Sequence, residues 1–345
     1  MKTRPYYEKD NTTIYNDIVV ISLFDGLSGG RIALERIPHL NVLRYYSSEI
    51  DKYAIHIADK NYPQDTPYRL GDVKDIDGYS LLLKIRKEFR GAKILLIGGS
   101  PCQGFSMAGK LKGASTKSGQ DVVTLKQYLD LKERGFEFEG QSYLFWEYVR
   151  IMRELKPDYF MLENVRVTKK WLPMFNKAMG VEPTRINSSL VSAQNRVRYY
   201  WYNFENIPQP EDKGILLKDI LDYSVKDIQR RPCELRDFNK NSICHHIANA
   251  TDIKGNESIK RVYSISGKSP TVTTCQGGHR EPKVLCSPLD GNNAKYRKLT
   301  PLECERLQTL PDNYTKGVSN TQRYKMIGNG WTIDIVTHIL SYIGD

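Results

Sequence analysis

The stretch Ile18-Val19-Val20-Ile21-Ser22-Leu23-Phe24-Asp25-Gly26-Leu27-Ser28-Gly29-Gly30 decides the fold class. Its first half is an unbroken apolar, β-branched run, which reads as a strand buried on both faces. Its second half is rich in glycine and leads into a short helical pattern from about Gly30 to Arg36. A buried strand that meets a helix through such a turn is the first unit of an α/β sheet. Glycines at this turn let the backbone approach a ligand, and the helix start favours an anionic group. The spacing is not G-x-G-x-x-G, so a dinucleotide is not specially indicated. An ordinary strand–helix turn is the plain alternative.

The same alternation continues outward. Asn41–Ser47 reads as a second strand and Tyr68–Leu70 as a short third that ends at Gly71-Asp72. Leu81–Phe89 follows as a helix, Lys93–Ile97 as a strand, Leu144–Leu155 as an amphipathic helix and Asp158–Leu162 as a strand. The link between Arg185–Leu190 and Arg198–Phe204 is too short for a helical crossover, so these two strands are expected to pair antiparallel. Residues 205–298 are polar and turn-rich and read as a separate small module. Thr300-Pro301-Leu302-Glu303 has the form of a capping box, and Trp331–Ile343 reads as a last amphipathic helix.

The chemistry-bearing residues fall at strand ends. Glu49 closes the second strand, where an acid can bind ribose hydroxyls. Asp72 follows the third. Cys102 sits in the loop Gly98-Gly99-Ser100-Pro101-Cys102-Gln103-Gly104-Phe105-Ser106, just past a buried strand, at the edge where open α/β sheets bind ligands. A cysteine there suits nucleophilic attack as a thiolate; a structural thiol is the alternative. Glu163-Asn164-Val165 ends the next strand and places a carboxyl on the same rim. Arg196 and Arg198 alternate with apolar residues and so share a face, from which they can bind a base oxygen or phosphate and hold Glu163.

The 345 residues carry a net charge of +11. A basic surface favours polyanions, nucleic acid first, although a merely basic enzyme has the same balance. The six cysteines form no C-x-x-C pair, which argues against a disulfide framework or zinc ribbon; no metal is expected. No window is apolar enough for a membrane span, and the N-terminal stretch has no apolar core of a leader, so a cytoplasmic location with the cell's DNA is expected.

Taken together, the SLFDG loop, Pro-Cys-Gln, Glu-Asn-Val, Gln-x-Arg-x-Arg and Gly328-Asn329-Gly330-Trp331 resemble the motifs of the DNA cytosine-5 methyltransferase family, in the family's order. Val191–Ala193, Arg196–Trp201 and Trp331 are similar to the animal de novo branch, Gln103 and Gln194 to bacterial members. The resemblance implies a class I methyltransferase fold, α/β, with a Rossmann-like mixed seven-stranded sheet and a small, irregular target recognition domain. The chain would divide into a catalytic and cofactor domain (1–204), the recognition domain (205–298) and a segment returning to the catalytic domain (299–345).

The resemblance further implies transfer of methyl from S-adenosylmethionine to C5 of a cytosine flipped out of double-stranded DNA, with S-adenosylhomocysteine as the other product. Cys102 would attack C6, Glu163 would engage N3 and Arg196 would contact O2, supported by Arg198, Asn164 and Gln103. Phe24, Asp25, Gly26, Leu27, Ser28, Gly29, Gly30, Glu49, Ile50, Asp72, Val73, Pro101, Leu144, Asn329, Gly330 and Trp331 would line the cofactor pocket. The stretch between Phe105 and Leu144 is longer than the family's usual lid and is expected to be mobile, with a helical piece near Val122–Arg134. Ser106, Lys110 and Lys112 there, and Arg230, Arg231, Arg236 and Arg280 in the recognition module, are the expected DNA contacts. A monomer is expected, with a dimer as the alternative. The competing activities are a tRNA cytosine-5 methyltransferase and a catalytically silent DNA-binding relative.

Overall fold

The computed structural model describes residues 16–101, 105, 114–204, 207–225, 229–286 and 294–344. Cys102, Gln103, Ser106, Lys110 and Lys112 lie outside these described residues. The first half alternates as the sequence predicts: β1 (Asn16–Leu23), α1 (Gly29–Glu35), β2 (Leu40–Ser48), α2 (Lys52–Asn61), α3 (Gly78–Glu88), β3 (Lys93–Gly98), α4 (Leu125–Glu133), α5 (Leu144–Leu155), β4 (Tyr159–Val165), α6 (Leu172–Met179), β5 (Thr184–Asn187) and β6 (Val197–Tyr202). These strands form one sheet in the order β2-β1-β3-β4-β6-β5. Pairing is parallel from β2 to β4 and antiparallel where β6 meets β4 and β5.

Side-chain alternation explains why the middles of β1 and β3 are largely apolar. Ile18 and Val20 of β1, with Leu95 and Ile97 of β3, enter the core under α1 and the C-terminal helices. Val19, Ile21 and Leu23, with Ile94 and Leu96, enter the opposite core under α3 and α5. Both faces are covered, and Ser22 is the one polar residue between Ile18 and Leu23.

The sheet has six strands among the described residues, not the expected seven. Tyr68–Leu70 is the missing one. Pro63 and Pro67 hold Pro63–Tyr68 in a 3-10 turn, and only an isolated Ser47–Arg69 bridge forms before Gly71 turns the chain.

The expected irregular module also differs. After α7 (Leu217–Ile220), β7 (Arg231–Leu235), β8 (His246–Ala250), β9 (Arg261–Tyr263), β10 (Lys283–Leu285) and β11 (Lys295–Lys298) close into a five-stranded barrel in the order β10-β11-β7-β8-β9, with α8 (Glu257–Lys260) between β8 and β9. Its core is small, built on Cys233, Ala248, Ala250, Ile253, Val262, Ala294 and Tyr296. The chain then returns through α9 (Pro301–Leu307), α10 (Asn320–Asn329) and α11 (Ile333–Leu340). The capping box at α9 forms as read: the Glu303 amide donates to the Thr300 hydroxyl at 3.2 Å, and the Thr300 amide to the Glu303 carboxylate at 2.8 Å. No helix among the described residues is long and apolar enough to cross a membrane.

Buried Gln194 joins barrel to sheet. Its carbonyl accepts the Val272 amide at 2.7 Å, and its amide donates to the Leu307 carbonyl at 3.1 Å. A Cβ at Gly328 would lie 2.2 Å from the Thr273 carbonyl oxygen, so glycine is what lets the 271–274 segment lie against the end of α10.

Candidate active site

Register places the site. Leu23 of β1, Ser48 of β2, Gly98 of β3 and Leu162 of β4 lie level with one another, so the residues that follow them share one edge. The chain order reverses between β1 and β3, and ligands bind at such a point in open α/β sheets.

The turn after β1 holds Phe24, Gly26 and Ser28 at φ of 57°, 58° and 63°. Asp25 points inward and accepts from the Tyr45 hydroxyl at 2.6 Å and the Ser28 hydroxyl at 2.7 Å. Burial pushes its pKa up, against these hydrogen bonds. Glu49 is fixed by backbone: its carboxylate accepts the amides of Gly26, Ile50 and Asp51, each at 2.8 Å. Asp72 accepts the Lys74 amide at 3.0 Å and pairs with the Lys74 ammonium at 3.0 Å. Partial burial opposes its charge, but Lys74 outweighs it and holds the pKa below the usual carboxylate range.

The Pro-Cys loop is anchored on both sides of Cys102. Asn164 Nδ2 donates to the Ser100 hydroxyl at 3.1 Å and to the Ser100 carbonyl at 3.3 Å, while its own Oδ1 accepts the Val165 amide at 2.9 Å. Beyond the cysteine, Phe105 is fully buried, edge-on to Phe175 and Trp171 with ring centroids at 4.9 and 5.8 Å. Glu163, 9% exposed, pairs with Arg198, whose Nε lies 2.9 Å from Oε1.

Arg196 has a different occupation. Its guanidinium donates to the carbonyls of Val272 (3.1 Å), Gly328 (3.2 Å) and Gly330 (2.9 Å). It ties the barrel-side segment to the α10 terminus, whereas Arg198 faces the carboxyl group.

These groups surround one cavity of about 560 Å³, within the size range of small-molecule sites. Of the sixteen residues expected around a cofactor, all but Ser28 and Gly30 line it. Ser28 is buried against Asp25, and Gly30 packs beneath Ile97 and Trp331. A Cβ at Gly99 would lie 2.9 Å from Trp331 Nε1 and 3.1 Å from Glu163 Oε2, so two cavity walls meet over this glycine. Glu163, Asn164, Arg196 and Arg198 line the same cavity, as does Pro101, the chain neighbour of Cys102. The sequence reading missed Asp51, Gln141 and Lys325, which also line it. Lys325 Nζ bridges to Asp51 Oδ2 at 2.6 Å. Nothing in the residue type of Lys325 announces this; only the folding-back of α10 brings it there.

The barrel arginines divide. Arg231 pairs with Asp252 at 3.0 Å and Arg236 with Glu257 at 2.9 Å, whereas Arg230 and Arg280 are exposed.

The C-5 cytosine-specific DNA methylase family model matches residues 18–172 and 177–345. The Type II methyltransferase M.HhaI of Haemophilus parahaemolyticus is 27% identical over 354 residues, covering 94% of this chain and 93% of that protein. The Type II methyltransferase M.HpaII of Haemophilus parainfluenzae is 27% identical over 370 residues, covering 95% and 89%. Among solved structures, the Entamoeba histolytica methyltransferase EhMeth superposes with a TM-score of 0.62 at 16% identity, over 94% of this chain and 97% of that one, a likeness of fold. The chain belongs to the C-5 cytosine-specific DNA methylase family.

Proposed function

We propose that the cavity binds S-adenosylmethionine and that Cys102, Glu163 and Arg198 carry out methylation of cytosine C5 in DNA. The family supplies the reaction class, and the type II relatives connect it with restriction–modification. The observation that carries the residue assignment is the Glu163–Arg198 pair, which shares a cavity with Pro101 and the anchored Ser100.

The cavity's residues fit the cofactor chemically. The Glu49 carboxylate, held by three amides, can accept two ribose hydroxyls. Asp72 and Val73, which line the cavity, would wall the adenine, and the Phe24–Gly26 turn with Trp331 would enclose the methionyl end. When bound, the cofactor supplies an electrophilic methyl group.

The chain's own residues do the rest. The target base leaves the duplex, because its ring faces are covered in the stack. The Cys102 thiolate adds to C6 as Glu163 delivers a hydrogen bond or proton to N3, which makes C5 the nucleophile. After C5 has gained the methyl group, loss of its proton and expulsion of the thiolate restore the aromatic ring. Arg198 orients Glu163 and would contact the adjacent O2. Arg196, whose donors already meet three carbonyls, holds the cavity wall. The barrel and its flanks within 205–298 form the target recognition module.

Bisulfite sequencing of DNA from cells expressing the protein tests the activity, with Cys102→Ala as control. The expected outcome is modified cytosine at one short sequence, abolished by the substitution. Methyl transfer to tRNA but not to duplex DNA would overturn it.

A further inference from the structure

The segment between Phe105 and α5 has no part in the mechanism above. From Ala114 onward it is docked on the core rather than loose, contrary to a wholly mobile lid. On α4, Tyr128 is 1% exposed and Leu131 3%. The Trp146 indole donates to the Val122 carbonyl at 3.1 Å. Phe138 stacks on Tyr143 with ring centroids 4.8 Å apart and meets Tyr128 at a tilt with centroids 5.0 Å apart.

The polar contact beneath this docking is more telling. Glu147 of α5 is completely buried. One of its oxygens accepts from the Tyr128 hydroxyl and from Lys132 Nζ, the latter at 2.6 Å; the other accepts from Arg150 Nε at 2.7 Å. Arg150 extends onward. It donates to the Val73 carbonyl at 3.1 Å, to the Ile76 carbonyl at 2.8 Å, and to both oxygens of Glu154. Val73 lines the cavity, and so does Gln141, which belongs to the docked segment itself.

A buried carboxylate that loses its donors is strongly destabilised. Undocking α4 would remove two of the donors to Glu147 and leave the carboxylate to draw on Arg150 alone. The guanidinium would then hold the Val73–Ile76 turn less firmly.

We propose that the 114–143 segment is a structural part of the methyl-donor pocket and sets affinity for the S-adenosyl group, with Arg150 as the positioning residue for the Val73 wall. This rests on the reading that the cavity binds S-adenosylmethionine. Coupling of this kind is reciprocal: the ligand must favour docking of the segment by the factor by which docking favours the ligand.

The test uses the full chain without DNA and titrates S-adenosylhomocysteine by calorimetry. Tyr128→Phe and Lys132→Met are compared with Asp130→Asn, an exposed residue of the same helix. Each of the first two is expected to weaken binding about tenfold, the scale of one charged hydrogen bond. The KM for S-adenosylmethionine should rise in step, while kcat and the KM for DNA stay within about twofold. In the wild type, S-adenosylhomocysteine should slow amide exchange in residues 114–143. Unchanged affinity in both variants overturns the proposal, even if their melting temperatures fall. A rise in the KM for DNA alone would overturn it in favour of a DNA lid. Failure of the wild type to bind S-adenosylhomocysteine would instead sink the cavity reading on which the proposal stands.

Discussion

In the six-stranded sheet, polar side chains gather at one edge and face a cavity; in the five-stranded barrel, they are paired off along the walls. Glu49, Asp72, Glu163 and Arg198 all line the space at the carboxyl ends of β1–β4 and the amino end of β6. The barrel has Arg231–Asp252, Arg236–Glu257 and Lys298–Glu281 pairs, with Arg297–Glu303 tying it to α9. A large apolar core lets the sheet set its own pairs, Glu163–Arg198 and Asp72–Lys74, along a cavity wall. The barrel's seven-residue core is small, so its charged groups also serve the fold.

The sharpest way to break this contrast is at the two neighbouring arginines. Arg198→Ala should lower kcat by ~10²-fold or more, because Glu163 loses its orienting partner; the carboxylate left at the cavity wall also lowers the melting temperature, by less than the loss in Arg196→Ala. Arg196→Ala leaves the buried Val272 and Gly328 carbonyls without this donor, while the Gly330 carbonyl keeps Gln308 Nε2 at 3.1 Å. Each such loss costs about 1–3 kcal/mol, so this variant should be recovered as a less stable protein. Thermal unfolding with single-turnover methyl transfer separates the two. Equal losses of turnover at equal stability would remove the distinction between a group facing the substrate and one holding the wall.

A smaller effect is expected in the barrel. Arg230→Ala and Arg280→Ala remove exposed charges, and each should reduce the slope of log affinity for DNA against log salt by about one if it meets a phosphate. Arg231→Ala and Arg236→Ala should alter that slope less and cost about 0.2–1 kcal/mol of stability, as partly exposed ion pairs do. Salt-dependent binding isotherms for the four variants decide it; a larger slope change from the paired arginines would reverse the assignment.

An effect confined to alkaline pH concerns Lys283, buried in β10 and donating to the carbonyls of His279 (2.6 Å) and Glu281 (3.0 Å). Burial lowers its pKa to about 8. In the unfolded chain the ammonium persists to about pH 10.4. The unfolded state therefore binds more protons between these values, and stability should rise with pH across that window by about 1–3 kcal/mol. Lys283→Met should flatten this rise in denaturant titrations from pH 8 to 10; an unaltered slope would place the titration elsewhere.

The two regions were also unequally legible in the sequence. β1, β3 and β4 announce themselves because burial on both faces gives each an apolar run, Ile18–Ile21, Ile94–Ile97 and Tyr159–Leu162. Glu49, which follows β2, and Glu163, near the end of β4, could be nominated from position alone, whereas Asp72 was placed after a strand that does not form. Tyr68–Leu70 misled because its apolar character was not weighed against two nearby prolines. The barrel was hidden because its strands are three to five residues long and carry lysine and arginine, as in Lys283-Val284-Leu285. Lys325 and Gln141 reach the cavity only through tertiary packing, which no local pattern encodes. Arg196 and Arg198 were correctly set on one face, but which of them meets Glu163 depends on the β4–β6 register, where Arg198 lies opposite Val165.

The return of α10 to the sheet has a consequence for biosynthesis. Lys325, Asn329 and Trp331 close a cavity whose opposite wall begins at Phe24. A ribosome-bound chain halted at residue 310 would already carry Cys102, Glu163 and the whole barrel, yet only part of that cavity's wall. Translation order thus leaves the cavity open on one side until after every barrel strand has been synthesised.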